Sequence, residues 1–226
     1  MWKVTSYTKT GERNRKSGLM CQDCVCCAEN RKSGIYVITL ADGTGIDDLA
    51  RIGAEHSAKI LAELLSDEKN FHEFYEMDKA LVQYNVITTI QSGLYDLCEK
   101  YDTNLEKLHS TLLGIAVDEK TDRFLVIHLG DGCVGMRKKE KFMVMSFPEN
   151  GRTRNQTYLT SQHKIGKHVR VIRNHIKGIQ EFILLSDGWN EKVTGKSHLI
   201  QAEMLHNAEE NRYTDDVSFI ALKYEE

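Results

Sequence analysis

The chain has 226 residues, 41% of them hydrophobic and 28% charged, with a net charge of −3. It is long enough to bury a sizeable core, and its charge is too small to draw it to nucleic acid or to an anionic membrane. The start, Met1-Trp2-Lys3-Val4, lacks the apolar core of a signal peptide, no apolar run approaches a membrane span, and no Pro/Gly/Ser linker divides the sequence. Residues 1–226 are therefore expected to form one cytoplasmic domain.

Trp2 to Lys9 reads as a first strand, followed by a polar, basic loop from Thr10 to Gly18 that carries Arg13, Arg15 and Lys16. Cys24 to Glu29 and Ile35 to Asp42 read as strands, and the turn-rich Asn30-Arg31-Lys32-Ser33-Gly34 between them predicts a hairpin. Of six cysteines, four crowd into Cys21, Cys24, Cys26 and Cys27. A Cys-x-x-Cys pair could hold zinc or cycle as a disulfide. Cys98 and Cys133 supply no second pair, however, so the thiols are read as small hydrophobes.

Asp47 or Asp48 is placed to cap a helix in which Leu49, Ile52, His56, Ile60 and Leu64 recur at three-four spacing, ending near Ser66-Asp67. A second long helix is expected from Asn70 to Tyr101, with Phe74, Met77, Leu81, Ile90, Leu94 and Leu97 on its apolar face. From Ser110 the pattern is β again: Thr111 to Val117, Phe124 to Leu129, Cys133 to Arg137 and Phe142 to Met145, read as a meander. Residues Ser146 to Lys167 are long and polar, either a surface flap or a partly disordered loop, and contain Arg152, Arg154 and Lys164. Val169 to Ile172 and Glu181 to Ser186 are further strands, Ser197 to Ala208 a short helix, and Val217 to Tyr224 a closing strand. Helices and strands in this order make an α+β pattern.

Three of these strands end beside an aspartate and glycine: Asp42-Gly43, Gly130-Asp131-Gly132 and Asp187-Gly188. Asp23 and the Asp215-Asp216 pair stand at the starts of two more. Any one Asp-Gly pair is most simply a turn. Strand starts and ends share an edge in an antiparallel sheet, so together these carboxylates would repel one another unless cations neutralised them. A sulfur-free oxygen cluster suits Mg²⁺ or Mn²⁺.

The order Cys21-Gln22-Asp23, Ala41-Asp42-Gly43-Thr44-Gly45, two helices, Ser110-Thr111-Leu112, Gly130-Asp131-Gly132, Ser186-Asp187-Gly188 and Thr214-Asp215-Asp216-Val217-Ser218 resembles the metal-dependent protein phosphatases of type 2C. These act on phosphoserine and phosphothreonine. The resemblance implies two stacked, mainly antiparallel sheets flanked by helices (an αββα sandwich), a phosphorylated protein as substrate, and two Mg²⁺ or Mn²⁺ ions with a weaker third. By the same resemblance, Asp42 bridges two ions and the carbonyl of Gly43 holds one of them. Asp187 and Asp215 hold the other ion, and Asp131 joins Asp187 at the third. Asp23 would hydrogen-bond a metal-bound water. A hydroxide between two cations then attacks phosphorus, and no side-chain nucleophile is needed.

The chain departs from the family pattern at several places, among them Gly132 and Cys133, where a serine and an arginine often follow the third-metal aspartate. Thr44 stands where some members have a histidine general acid, Ile46 replaces a glycine, and Gly18 stands where members carry the phosphate-binding arginine. Arg13, Arg15 or Lys16 is then the candidate for phosphate recruitment. Two functions remain in view: a working phosphatase, and a phosphatase-fold binding or regulatory module without turnover.

Overall fold

The structure is a computed structural model that describes residues 1–139, 141–151, 156–189 and 213–225. Within them, two five-stranded antiparallel sheets stack face to face. One runs β1 (Trp2–Lys9), β10 (Val217–Tyr224), β9 (Ile179–Leu185), β6 (Cys133–Lys138) and β7 (Lys141–Ser146). The other runs β2 (Asp23–Asn30), β3 (Ile35–Asp42), β4 (Leu112–Asp118), β5 (Arg123–Leu129) and β8 (Arg170–His175).

Alternation along the strands decides the layers. Ile38, Leu40, Leu113, Ile115, Val117, Phe124 and Val126 face between the sheets, where Phe182, Leu184, Ile220 and Leu222 meet them. The intervening Val37, Ala41, Leu112, Ala116, Leu125 and Ile127 face the helices. A strand buried on both faces has no polar stripe, which is why Ile35 to Asp42 reads as a near-continuous apolar run.

The helices differ from expectation in three ways. First, α2 (Asp48–Ser66), capped by Asp47 accepting from the Leu49 amide at 3.1 Å, buries Ala50, Ala54, Ser57, Ala58, Leu61, Ala62 and Leu65. The larger Leu49, Ile52, Ile60 and Leu64 only flank that face. Small residues let the helix lie close to the sheet, where the Thr39 hydroxyl donates to the Ala58 carbonyl at 2.9 Å. Second, the expected long helix is two, α3 (Glu68–Glu76) and α4 (Lys79–Tyr101). The chain turns extended at Met77, and Asp78 caps the new helix by accepting from the Ala80 amide at 2.8 Å. Leu81, expected in the apolar face, is exposed. Third, the basic loop contains a five-residue helix, α1 (Glu12–Lys16).

The meander is also corrected, because β5 passes to the other sheet before β6. The described part of the 146–167 segment follows an irregular path, closed by an isolated bridge between Asn150 and Thr157 and anchored by buried Leu159, Thr160 and Ile165. Arg152, Arg154 and the expected helix from Ser197 to Ala208 lie outside the described residues. All six cysteines are free thiols. No described helix is long and apolar enough to cross a membrane.

Candidate active site

Three connections pass from one sheet to the other at the same end of the sandwich: β1 to β2, β5 to β6 and β7 to β8. They surround the ends of β3 and β9 and the start of β10, and between them lies a pocket of about 340 Å³. The carboxylates thus converge where two sheets end together, not along the edge of one sheet. Asp42, Asp131, Asp187, Asp215 and Asp216 line the pocket with Gly43, Thr44 and Gly45.

Each carboxylate is fixed by its element. Asp42 ends β3 directly opposite Asp23 of β2. Its amide donates to the Thr111 hydroxyl at 3.0 Å, and its carbonyl accepts from the Thr111 amide at 2.9 Å. Asp131 sits in the β5 to β6 crossover after Gly130, whose φ of +106° favours glycine. The Gly130 carbonyl is held by the Glu149 amide at 2.9 Å. Asp187 opens a tight turn in which the Ser186 amide donates to the Ser218 carbonyl at 3.0 Å, and buried Trp189 donates its ring N–H to the same oxygen at 3.0 Å. Asp215 accepts from the amide of Asp216 at 3.0 Å.

Of the two candidate arginines, Arg13 lines the pocket. Arg15 does not; it faces Glu12 at 3.7 Å and is largely exposed. The reason is helical geometry, since residues two apart on α1 point away from each other.

Burial and mutual repulsion dominate the electrostatics. Burial first, then Asp23, Asp187, Asp131 and Asp215, holds Asp42 well above the usual carboxylate range. Burial pushes Asp187 up to about 7, with Asp131 and Asp215 adding to the rise and a hydrogen bond with Asp42 opposing it. Asp23 is also pushed to about 7, chiefly by burial, which outweighs the nearby Ser218 and Ser186 hydroxyls. Neither Asp23 oxygen makes a hydrogen bond of ordinary geometry, and Oδ1 of Asp187 also lacks one.

Buried acceptors left unpaired beside like charges are costly, and a cation relieves both costs. Among the described residues, no group of three Asp, Glu, His or Cys side chains could hold one ion alone. A hard ion such as Mg²⁺ takes one or two carboxylates and fills its remaining positions with water, so an all-oxygen set spread around a pocket fits it.

These shifts set a pH dependence for metal-free protein. The folded state keeps protons on Asp23 and Asp187 up to about pH 7, whereas unfolded aspartates release theirs near their ordinary value of 3.8. The raised groups therefore stabilise the fold below that value, and the stabilisation is lost as pH rises through 7. With chelator present, the melting temperature should be lower at pH 8 than at pH 5.5, and saturating Mg²⁺ should shrink the difference.

Asn14 and Thr157, not singled out in the sequence, also line the pocket, as do Gln22 and Asp216, which stand in the motifs without an assigned role. Asp216 is almost fully buried. It accepts from the Gly11 amide at 2.7 Å, the Asn14 side-chain amide at 2.8 Å and the Gln22 amide at 2.6 Å. The Asp-Asp doublet just ahead of β10 is the signal that could have found its role.

The model of the protein phosphatase 2C family matches residues 10–218, and the chain belongs to that family. Among solved structures it is similar to the serine/threonine phosphatase Stp1 from Staphylococcus aureus, with a TM-score of 0.71 and 15% identity, covering 100% of this chain and 96% of that one. The S. agalactiae serine/threonine phosphatase superposes with a TM-score of 0.65 at 14% identity over 100% of both chains. RsbX in complex with magnesium gives 0.60 at 16% identity, covering 98% of this chain and 94% of that one. At these identities the likeness is one of fold. Among curated proteins, none matches this chain in sequence.

Proposed function

We propose that the protein hydrolyses phosphoserine and phosphothreonine in protein substrates with the help of bound Mg²⁺ or Mn²⁺. The observation that carries this reading is the pocket itself, where Asp42, Asp131, Asp187 and Asp215 line, together with Arg13, a space large enough for a phosphate group. Asp42, with the carbonyl of Gly43, and Asp187 with Asp215 are the residues that would hold two ions, and Asp131 would share a third. Bound there, the cations would lower the pKa of a water and offset charge on the phosphoryl oxygens. Asp23, buried opposite Asp42 and with neither oxygen paired by an ordinary hydrogen bond, would accept a hydrogen bond from a water held there. Arg13 holds two phosphate oxygens with its planar fork and orients the ester.

No cysteine lines the pocket. Burial pushes Cys24 and Cys133 up to about 12 and Cys21 higher still, so these thiols stay protonated. Hydrolysis of a chromogenic aryl phosphate in Mn²⁺ tests the reading. Activity that chelator abolishes and thiol alkylation spares supports it, and a phosphorylated cysteine or serine trapped by acid quench contradicts it.

The recruiting arginine can be tested alone. Losing a hydrogen bond to a charged group costs about 1.5–3 kcal/mol, so Arg13→Ala should raise KM for a phosphopeptide by about tenfold or more while kcat changes less. Arg15→Ala should leave both near wild type, as expected for an exposed ion pair. Equal effects of the two substitutions would remove Arg13 from this role.

A further inference from the structure

We propose that Asp216 is a positioning residue for Arg13, a claim that rests on the phosphatase reading and adds the element that holds its phosphate arm. Helix α1 has five residues, none of them buried, and no side-chain N-cap. A helix that short does not hold itself together. Its Glu12 pairs with Arg15 at 3.7 Å and Lys16 at 3.5 Å are exposed and contribute little.

What holds α1 is the chain just before β10. The amides of Glu12 and Arg13 donate to the carbonyls of Tyr213 and Thr214 at 3.0 and 3.1 Å. Gly11 packs so tightly on Asp215 that a Cβ there would overlap the Asp215 carbonyl group. The Asp216 carboxylate then ties both ends of the crossover: Oδ1 takes the Gly11 amide, and Oδ2 takes the Asn14 side chain and the Gln22 amide. Gly11 and Asn14 flank Arg13, and Gln22 immediately precedes Asp23.

The two aspartates of the doublet therefore divide the work. With three hydrogen bonds, the Asp216 carboxylate is satisfied where it lies, and burying it without them would be costly. Asp215 is left with an open side toward the pocket, and its carboxylate is steered by the Asp216 amide. One buried side chain thus sets the distance between the phosphate arm and the carboxylate cluster.

The test is a double-mutant cycle on a phosphothreonine peptide in Mn²⁺, using wild type, Asp216→Ala, Asp216→Asn, Arg13→Ala and the Asp216→Ala/Arg13→Ala pair. If Asp216 acts through Arg13, Asp216→Ala should raise KM about tenfold with kcat within about threefold, yet add less than about twofold to KM in the Arg13→Ala background. Asp216→Asn keeps one acceptor and turns an N–H toward a donor, so it should fall between wild type and Asp216→Ala; it carries the cycle if the alanine variant does not fold. KM effects that multiply across the pair would overturn the proposal.

Hydrogen exchange provides an arm independent of turnover. The amides of Arg15, Ser17 and Gly18, bonded within the α1 turn, should exchange faster in Asp216→Asn while those of β3 and β4 do not. Unchanged exchange at α1 would overturn the proposal. A wild type without turnover would instead sink the phosphatase reading, leaving the exchange result to decide the role of Asp216.

Discussion

Asp42→Asn should abolish turnover while leaving the metal-free protein as stable as wild type, or slightly more so. Asp42 lies where the other carboxylates meet, and burial together with four neighbouring aspartates disfavours its charge. In the proposed site, the neutral amide removes one negative charge from a residue that would hold metal. Rate should then fall by roughly three orders of magnitude or more, because metal affinity and the nucleophile are lost together. Without metal the same change relieves repulsion, and the new amide can donate to Asp187, which already shares a hydrogen bond with position 42. A ligand stabilises only the state that binds it, so the rise in melting temperature with Mn²⁺ should largely vanish in the mutant. If Asp42 were merely a turn residue, both the rate and the Mn²⁺ shift would stay near wild type. Paired melts with Mn²⁺ and with chelator, alongside the aryl phosphate assay, separate the two cases.

The largest effect on stability is expected from Leu61→Ala. Leu61 is fully buried between α2 and the second sheet, and its methyl group occupies the space above Gly114 of β4, where a Cβ would stand only 2.6 Å away. Neighbouring Ala58 and Ala62 have no atoms to spare for the gap that truncation leaves. Leucine-to-alanine changes in packed cores cost about 2–5 kcal/mol. At roughly 2–4 °C per kcal/mol for a domain of this size, the melting temperature should fall by about 5–15 °C. Below the transition kcat should hold, since Leu61 packs on Gly114 in the middle of β4 and not at the strand ends that carry the carboxylates. Thermal unfolding followed by circular dichroism checks the first part and steady-state kinetics at low temperature the second.

Strands and carboxylates are legible in the sequence because their signals are local. An apolar run that stops at Asp42-Gly43 or Asp187-Gly188 marks a strand end from its own residues. The bounds of β1, β3 and β10 follow from such runs directly. What is not legible depends on partners far along the chain. Helix α1 exists through bonds to residues 213–216, some two hundred positions away, and its own sequence reads as loop. The buried face of α2 is mostly small, with four alanines, Gly53 and Ser57 beside Leu61 and Leu65, and a search for large apolar residues passes over it. The break between α3 and α4 did carry a local signal, Asp78 before Lys79-Ala80, but the apolar spacing on either side masked it. Asp216 looks like a second copy of Asp215 until the donors from Gly11, Asn14 and Gln22 are known. The shift of β6 to the other sheet is likewise a tertiary fact that no hydrophobic period encodes.

The central claim is that the carboxylate pocket is a metal-dependent centre for protein phosphoester hydrolysis. Its most direct test is phosphate release from a phosphothreonine peptide by the wild-type protein, followed as Mg²⁺ or Mn²⁺ is titrated into chelator-treated enzyme. The expected result is a rate that starts at background, rises with metal and saturates. No release at any metal concentration, from protein whose melting temperature still rises with the same metal, would contradict it and leave a metal-binding module that does not turn over.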